Sequence, residues 1–256
     1  MSATELTPTQ PQGFRSPYLM PAIIRIGSTF RPKEIWRIKT DEKVVALTFD
    51  DGPSARFFAD VLAVLKREDV RATFFLLGDR VAEGNDAGSP LRRALVQQAA
   101  ADGHELAFHG WKHQSVSKYR APALTADLQK FRAELNALLP AEHRAPVRFF
   151  RPPFGHIEPY VHRVLKQENM GVVAASILPS DAYLFPSYYL EDERRAVERV
   201  VHEVRPGSIT CLHIGEDLGR VDSVYDAIHA GAIVAALIPR LRRSGYRFAR
   251  MSDLVP

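Results

Sequence analysis

From about residue 41 the chain alternates between two spacings of hydrophobic positions. Short apolar runs, rich in β-branched and aromatic residues and bounded by turn residues, read as buried strands: VVALTF (44–49), ATFFLLG (72–78), HELAFH (104–109), VRFF (147–150), GVVAAS (171–176), SITCLH (208–213) and YRFARM (246–251). Between them lie segments with helical spacing. FFADVLAVLKRED puts Phe58, Val61, Leu62 and Leu65 on one face, and LRRALVQQAAADG, LTADLQKFRAELNALL, HRVLKQENMG, ERRAVERVVHEV and IVAALIPRLRRSG carry similar faces. Gly103, Gly171 and Gly245 follow three of these segments, in the place of C-terminal helix stops. Strand–helix alternation predicts an α/β fold with a parallel sheet. About seven strands in about 215 residues favour a (β/α) barrel over an open sheet, although the pattern by itself is compatible with both.

The first 40 residues fall outside this alternation. Residues 1–15 are polar, with Pro and Thr and no periodicity, and read as disordered. Residues 16–40 carry scattered apolar side chains and read as an extension packed on the main domain, residues 41–256. No Gly/Ser-rich linker marks a second domain, and no internal repeat is visible. A chain of 256 residues with 46% hydrophobic and 25% charged residues has the composition for a substantial core. The net charge of +4 is too mild and too dispersed for a nucleic-acid binder. The single cysteine, Cys211, excludes an internal disulfide. The polar start shows no signal peptide. The apolar stretch YLMPAIIRI (18–26) contains Pro21 and Arg25 and is too short to span a bilayer. The expectation is a cytoplasmic chain as written, secreted if a leader has been removed, with no membrane span and no indication of oligomeric state.

The candidate chemistry lies where the strand-like runs end, the rim at which barrels of this kind collect functional residues. Asp50 and Asp51 end the first run. His109 and His113 (HGWKH) follow the third and Arg151 (RPPFG) the fourth. Asp181 follows the fifth and His213 ends the sixth. Each has an ordinary explanation. Asp-Asp-Gly-Pro is turn vocabulary, Asp181 could cap a helix, and a histidine ending a buried strand is often a satisfied core residue. Together, however, these explanations require five coincidences at one rim. One carboxylate and two imidazoles suit a three-ligand catalytic zinc centre with a position open for water. On this reading Asp51, His109 and His113 are the ligands, the two histidines pointing the same way from one helical turn. Asp50 points elsewhere and stays free as a base, oriented by Arg151. His213 protonates a leaving nitrogen, with Asp181 holding its imidazole and raising its pKa. The set describes metal-assisted hydrolysis of an amide or ester. Cys211 shares a strand face with His213, but a nucleophile and base two residues apart on one strand have poor geometry, so Cys211 reads as a small core residue.

These residues resemble the polysaccharide deacetylases, carbohydrate esterase family 4, or NodB homology domain, over about residues 41–256. TFDDGP looks like the first motif of that family, HGWKH like the second, RPPFG like the third and CLH like the fifth; RATFF (71–75) and GYRFARMSDL also match. The resemblance implies the NodB barrel, with Asp50 as base, Asp51, His109 and His113 as ligands of a divalent metal, and His213 as acid. Zinc is the first choice of metal, with cobalt or another divalent ion as alternatives. It also implies Arg151 beside the base, a backbone N–H of Phe154 at the oxyanion, and Leu212 lining an acetate pocket. The chain departs from the pattern at Gly110, where Ser or Thr is usual, at Leu178 and Ala182 in the fourth motif, and at Ile214. Tyr183 stands where it could take the space of the missing tryptophan. In AYLFPSYY (182–189) the aromatic residues could form a sugar-stacking wall, though a loop covering the core is the simpler explanation. The implied activity is removal of N-acetyl groups from N-acetylglucosamine-containing glycans (chitin, chitooligosaccharides or peptidoglycan). The alternatives are O-deacetylation of acetylxylan, hydrolysis of a small amide or imide, and non-catalytic glycan binding.

Overall fold

The computed structural model describes residues 33–84, 86–179, 193–214 and 230–255. Among the described residues, seven strands form one sheet: β1 (Val44–Gly52), β2 (Thr73–Leu76), β3 (Glu105–Phe108), β4 (Phe149–Phe150), β5 (Gly171–Val172), β6 (Ser208–His213) and β7 (Arg247–Phe248). Every pairing is parallel, in the order β5-β4-β3-β2-β1-β6, and β7 pairs with Val44 and Val45 at the start of β1. The ring closes between β5 and β6 through an isolated bridge, Ile177 to Thr210, in place of a full ladder. That gap in the hydrogen bonding is the distortion of the barrel.

Six longer helices of the described residues accompany the strands: α1 (Phe57–Arg67), α2 (Ser89–Ala101), α3 (Ala121–Leu138), α4 (Pro159–Gln167), α5 (Glu193–Glu203) and α6 (Ala230–Arg243). Phe58, Val61, Leu62 and Leu65 of α1 are all buried, as their spacing requires. Alternation along each strand divides the core in two. One set, including Val45, Leu47, Phe49, Phe74, Leu76, Phe108, Phe150 and Leu212, packs with the helices in the larger cluster. The other set fills the barrel: Ala46, Phe75, Ala107, Phe149, Val173 and Ile209, with Met251 beneath them. This apolar plug makes the barrel interior a packed core.

Gly103 and Gly245 take the left-handed conformation after α2 and α6, at φ 80° and 83°, as helix stops do. Gly171 does not. The left-handed residue after α4 is Asn169, at φ 54°, and Gly171 opens β5, where a Cβ would sit 3.2 Å from Ile35 and Phe149. Its lack of a side chain serves close packing and not the turn. Residues 33–40 lie against the barrel: Ile35 bridges Val173, and the Ile38 N–H donates to the Gly207 carbonyl at 2.8 Å.

Candidate active site

β1 brings two adjacent carboxylates to the open end of the barrel. In a regular strand Asp50 and Asp51 would face opposite sides. The register with β2 slips between Phe49 and Gly52, and Asp51 adopts φ 68°. A bulge of this kind re-aims a side chain, so both aspartates reach the mouth from different directions. Gly52 makes room for the turn, since a Cβ there would meet Ile214 at 2.7 Å.

Asp51 gathers two imidazoles. His109 Nε2 lies 3.1 Å and His113 Nε2 3.3 Å from Asp51 Oδ1. The three ligand atoms fall within 4.8 Å of one another. His109 and His113 do not share a helical turn; residues 109–113 form a bend after β3, with Gly110 at φ 100°. The bend is pinned because the N–H groups of Gly78 and Asp79 donate to the carbonyls of Gly110 and Trp111, both at 2.9 Å. Glycine suits this position, as a Cβ would press on the Lys112 carbonyl at 3.1 Å and the positive φ strains other residues.

The chemistry of this donor set fits a cation. His109 Nδ1 is 2.7 Å from the Arg151 carbonyl, which can only accept, so Nδ1 carries the proton. A neutral His109 then presents an Nε2 lone pair to a carboxylate oxygen that is itself buried and lacks a sound hydrogen bond. Two acceptors facing each other this closely need a proton or a metal between them. Without a metal, burial works against a charge on His109, yet Asp50 and then Asp51 outweigh it and the imidazole pKa is raised. Burial likewise pushes the Asp51 carboxyl up, but the histidines, His109 foremost, hold it well below the usual carboxylate range. Half-buried His113 is lowered, chiefly by desolvation.

Asp50 is held apart from this cluster. Its Oδ1 accepts from Arg151 Nη1 at 2.6 Å, and both partners are buried. Arg151 Nη1 also donates to Thr48 Oγ1 at 2.8 Å, Nη2 donates to the Ala174 carbonyl at 3.0 Å, and the guanidinium stacks 4.1 Å from the Phe75 ring. Thr48 donates in turn to the Thr210 carbonyl. His213 is the direct cross-strand partner of Asp50. Arg151 therefore lies between the apolar plug and the mouth, held by β1, β2 and the segment after β5.

Two expectations from the sequence change. Leu212 does not line the pocket. Alternation along β6 sends it, fully buried, into the helix-facing cluster. The inward residue beside His213 is Cys211, whose Sγ lies 3.2 Å from Asp50 Oδ2 and 3.9 Å from His213 Nε2. Cys211 is thus a wall of the site and not a core filler; burial pushes its thiol up to about 11. Thr48 and Cys211 each sit two residues before an active-site candidate on the same strand, and that spacing was the available signal. Phe154 lies on the short turn Pro153–Gly155 after β4, at φ 60°; the residue is 63% exposed and its ring lies 4.3 Å from the His113 ring. Asp181 and Tyr183 lie outside the described residues.

Comparison with known proteins gives a consistent result. A family model described as polysaccharide deacetylase matches residues 37–173. The chain is 29% identical to a peptidoglycan-N-acetylglucosamine deacetylase of Bacillus cereus, over 86% of this chain and 92% of that protein. It is 32% identical to a chitooligosaccharide deacetylase of Sinorhizobium fredii, over 82% of this chain and 91% of that one. A crystal structure of the Bc1960 peptidoglycan N-acetylglucosamine deacetylase, in complex with 4-naphthalen-1-yl-N-oxidanyl-benzamide, superposes with a TM-score of 0.70 at 25% identity, covering 89% of this chain and 95% of that one.

Proposed function

This chain belongs to the polysaccharide deacetylase family, carbohydrate esterase family 4, and from that premise we propose that it is a metal-dependent hydrolase removing N-acetyl groups from N-acetylglucosamine-containing glycans. The observation that carries the proposal is the division of labour between two adjacent carboxylates: Asp51 faces His109 and His113, while Asp50 is tied to Arg151. Asp51, His109 and His113 would hold a divalent ion, zinc first and cobalt or another as alternatives, which supplies Lewis acidity at the acetamide carbonyl and a water of lowered pKa.

The remaining work falls to the chain. Arg151 fixes Oδ1 of Asp50, and Oδ2, which accepts from the Cys211 thiol at 3.2 Å, is the oxygen that would take the proton of the attacking water. His213, across the strand pair, delivers a proton to the departing amine nitrogen, so that water and acetamide become acetate and a free amine. The Phe154 backbone N–H, on the turn after β4, is the donor assigned to the carbonyl oxygen as it gains charge. The exposed Phe154 ring at the mouth offers an apolar face on which a sugar ring can stack. Asp181 is assigned to hold His213, and Tyr183 to the substrate side. The glycan is peptidoglycan or a chitooligosaccharide, the kinds named for the relatives.

The test is acetate release from chitooligomers, peptidoglycan, acetylxylan and small amides, each with and without chelator. The reading expects release from the first two that stops with chelator and returns with zinc. Release from small amides alone, or release indifferent to chelator, contradicts it.

A further inference from the structure

We propose that Asp50, Cys211 and His213 form a second, weaker divalent-metal site beside the first, and that zinc bound there switches the enzyme off. The inference rests on the reading of Asp50 and His213 as base and acid. It starts from a second group of ligand atoms converging at the mouth: a carboxylate oxygen, a thiol sulfur and an imidazole nitrogen, all within 4.8 Å of one another. The spacings are 3.2 Å from Sγ to Asp50 Oδ2 and 3.9 Å from Sγ to His213 Nε2. Tetrahedral zinc, with bonds of about 2.3 Å to sulfur and about 2.0–2.1 Å to nitrogen and oxygen, separates such ligands by about 3.5–3.6 Å. Side-chain shifts of a few tenths of an ångström close the difference.

The two groups come from different places. Asp51, His109 and His113 are set by the bulge at the end of β1 and the bend after β3. The second group lies on one wall, Asp50 on β1 and the inward face of β6, where Asp50 and His213 are register partners. A thiolate beside an imidazole and a carboxylate selects zinc over harder ions such as magnesium or calcium. Three features make the site the weaker one. The Arg151 guanidinium already touches the other oxygen of Asp50. An ion in the first site repels a second. The thiol must release its proton to solvent as the sulfur–metal bond forms. An ion held here occupies the oxygen that would take the proton of water and the nitrogen that would protonate the amine, so both proton steps stop together.

Cobalt titration of the metal-free protein reads this directly. The first equivalent should give no thiolate-to-cobalt charge-transfer band in the near ultraviolet, and the second should raise one. Cys211→Ala and Cys211→Ser should lack the band. Cys211→Ala should bind the second equivalent at least about 100-fold more weakly, since even outer partners of metal ligands contribute that much. In His109→Ala the band should appear with the first equivalent. In parallel, wild-type acetate release should fall about tenfold when zinc reaches about ten times the second dissociation constant, whereas each Cys211 variant should keep its own single-equivalent rate. A second equivalent that binds without the band, a band already present with the first equivalent in wild type, or a Cys211→Ala variant as sensitive to excess zinc as wild type would each overturn the proposal. The spectra do not depend on turnover, so failure of the deacetylase reading and failure of the second site give different results.

Discussion

Replacing Arg151 by methionine removes a buried cation while leaving Asp50 in place. Arg151 is 4% exposed, pairs with Asp50 at 2.6 Å and lies over the Phe75 ring. Removing one partner of a buried pair costs about 3–5 kcal/mol, because the other charge remains buried and unpaired. Loss of the contact with Phe75 adds about 1 kcal/mol. The sum, about 4–6 kcal/mol, corresponds to a fall in Tm of about 10–20 °C for a chain of this size. The assay is urea and thermal unfolding of wild type, Arg151→Met, Asp50→Asn and the double variant. Asp50→Asn removes the charge that needs compensation, so the double variant should be at least about 2 kcal/mol more stable than the sum of the single effects. Effects that add to within about 0.5 kcal/mol would mean that the two side chains are not coupled, and the placement of Asp50 by Arg151 would fail.

Other perturbations test separate parts. His109→Ala should weaken divalent-metal binding at least about 100-fold and abolish acetate release; unchanged metal content by elemental analysis would remove His109 from the ligand set. Gly110→Ser puts a side chain at φ 100° against the Lys112 carbonyl, and should cost about 1–2 kcal/mol in urea unfolding together with metal affinity; a serine variant matching wild type in both would show that the bend does not need glycine. Burial lowers the buried His104 to about 4, and its Nδ1 accepts from the Ala72 N–H at 3.2 Å. The unfolded chain therefore binds a proton between pH 6.5 and about 4 that the folded chain refuses, so stability falls as pH falls through that window. His104→Asn keeps an acceptor without the titration, and should lose about 2–3 kcal/mol less stability than wild type between pH 7 and pH 4.5; equal acid sensitivity in the two proteins would refute the assignment.

Much of the fold was legible because each of the seven described strands lies within its own strand-like run, and the ends of β1, β3, β4 and β6 correspond to one rim. Asp50, Asp51, His109, His113, Arg151 and His213 converge there because parallel strands deliver their C-terminal ends to the same face. What sequence spacing does not show is a backbone that departs from period. The interval of four between His109 and His113 suits a helix equally well as a bend, and only the left-handed Gly110 decides it. Alternation placed Cys211 and His213 on one face, but the nearness of Asp50 to Cys211 depends on the β1–β6 register, a long-range fact. The alternation that turns Cys211 and His213 inward turns Leu212 away. Asn169 and Gly171 exchange roles because either residue can leave a helix left-handed, and local composition favoured the glycine.

The central claim is that adjacent carboxylates divide the work, Asp51 on the metal and Asp50 on the proton. Asp50→Asn, prepared with one equivalent of zinc and assayed for acetate release from a chitooligomer, tests it most directly. The account predicts full metal content with turnover reduced about 10²–10⁴-fold, the loss of a general base. Turnover within a few-fold of wild type, or loss of the metal along with activity, would contradict it.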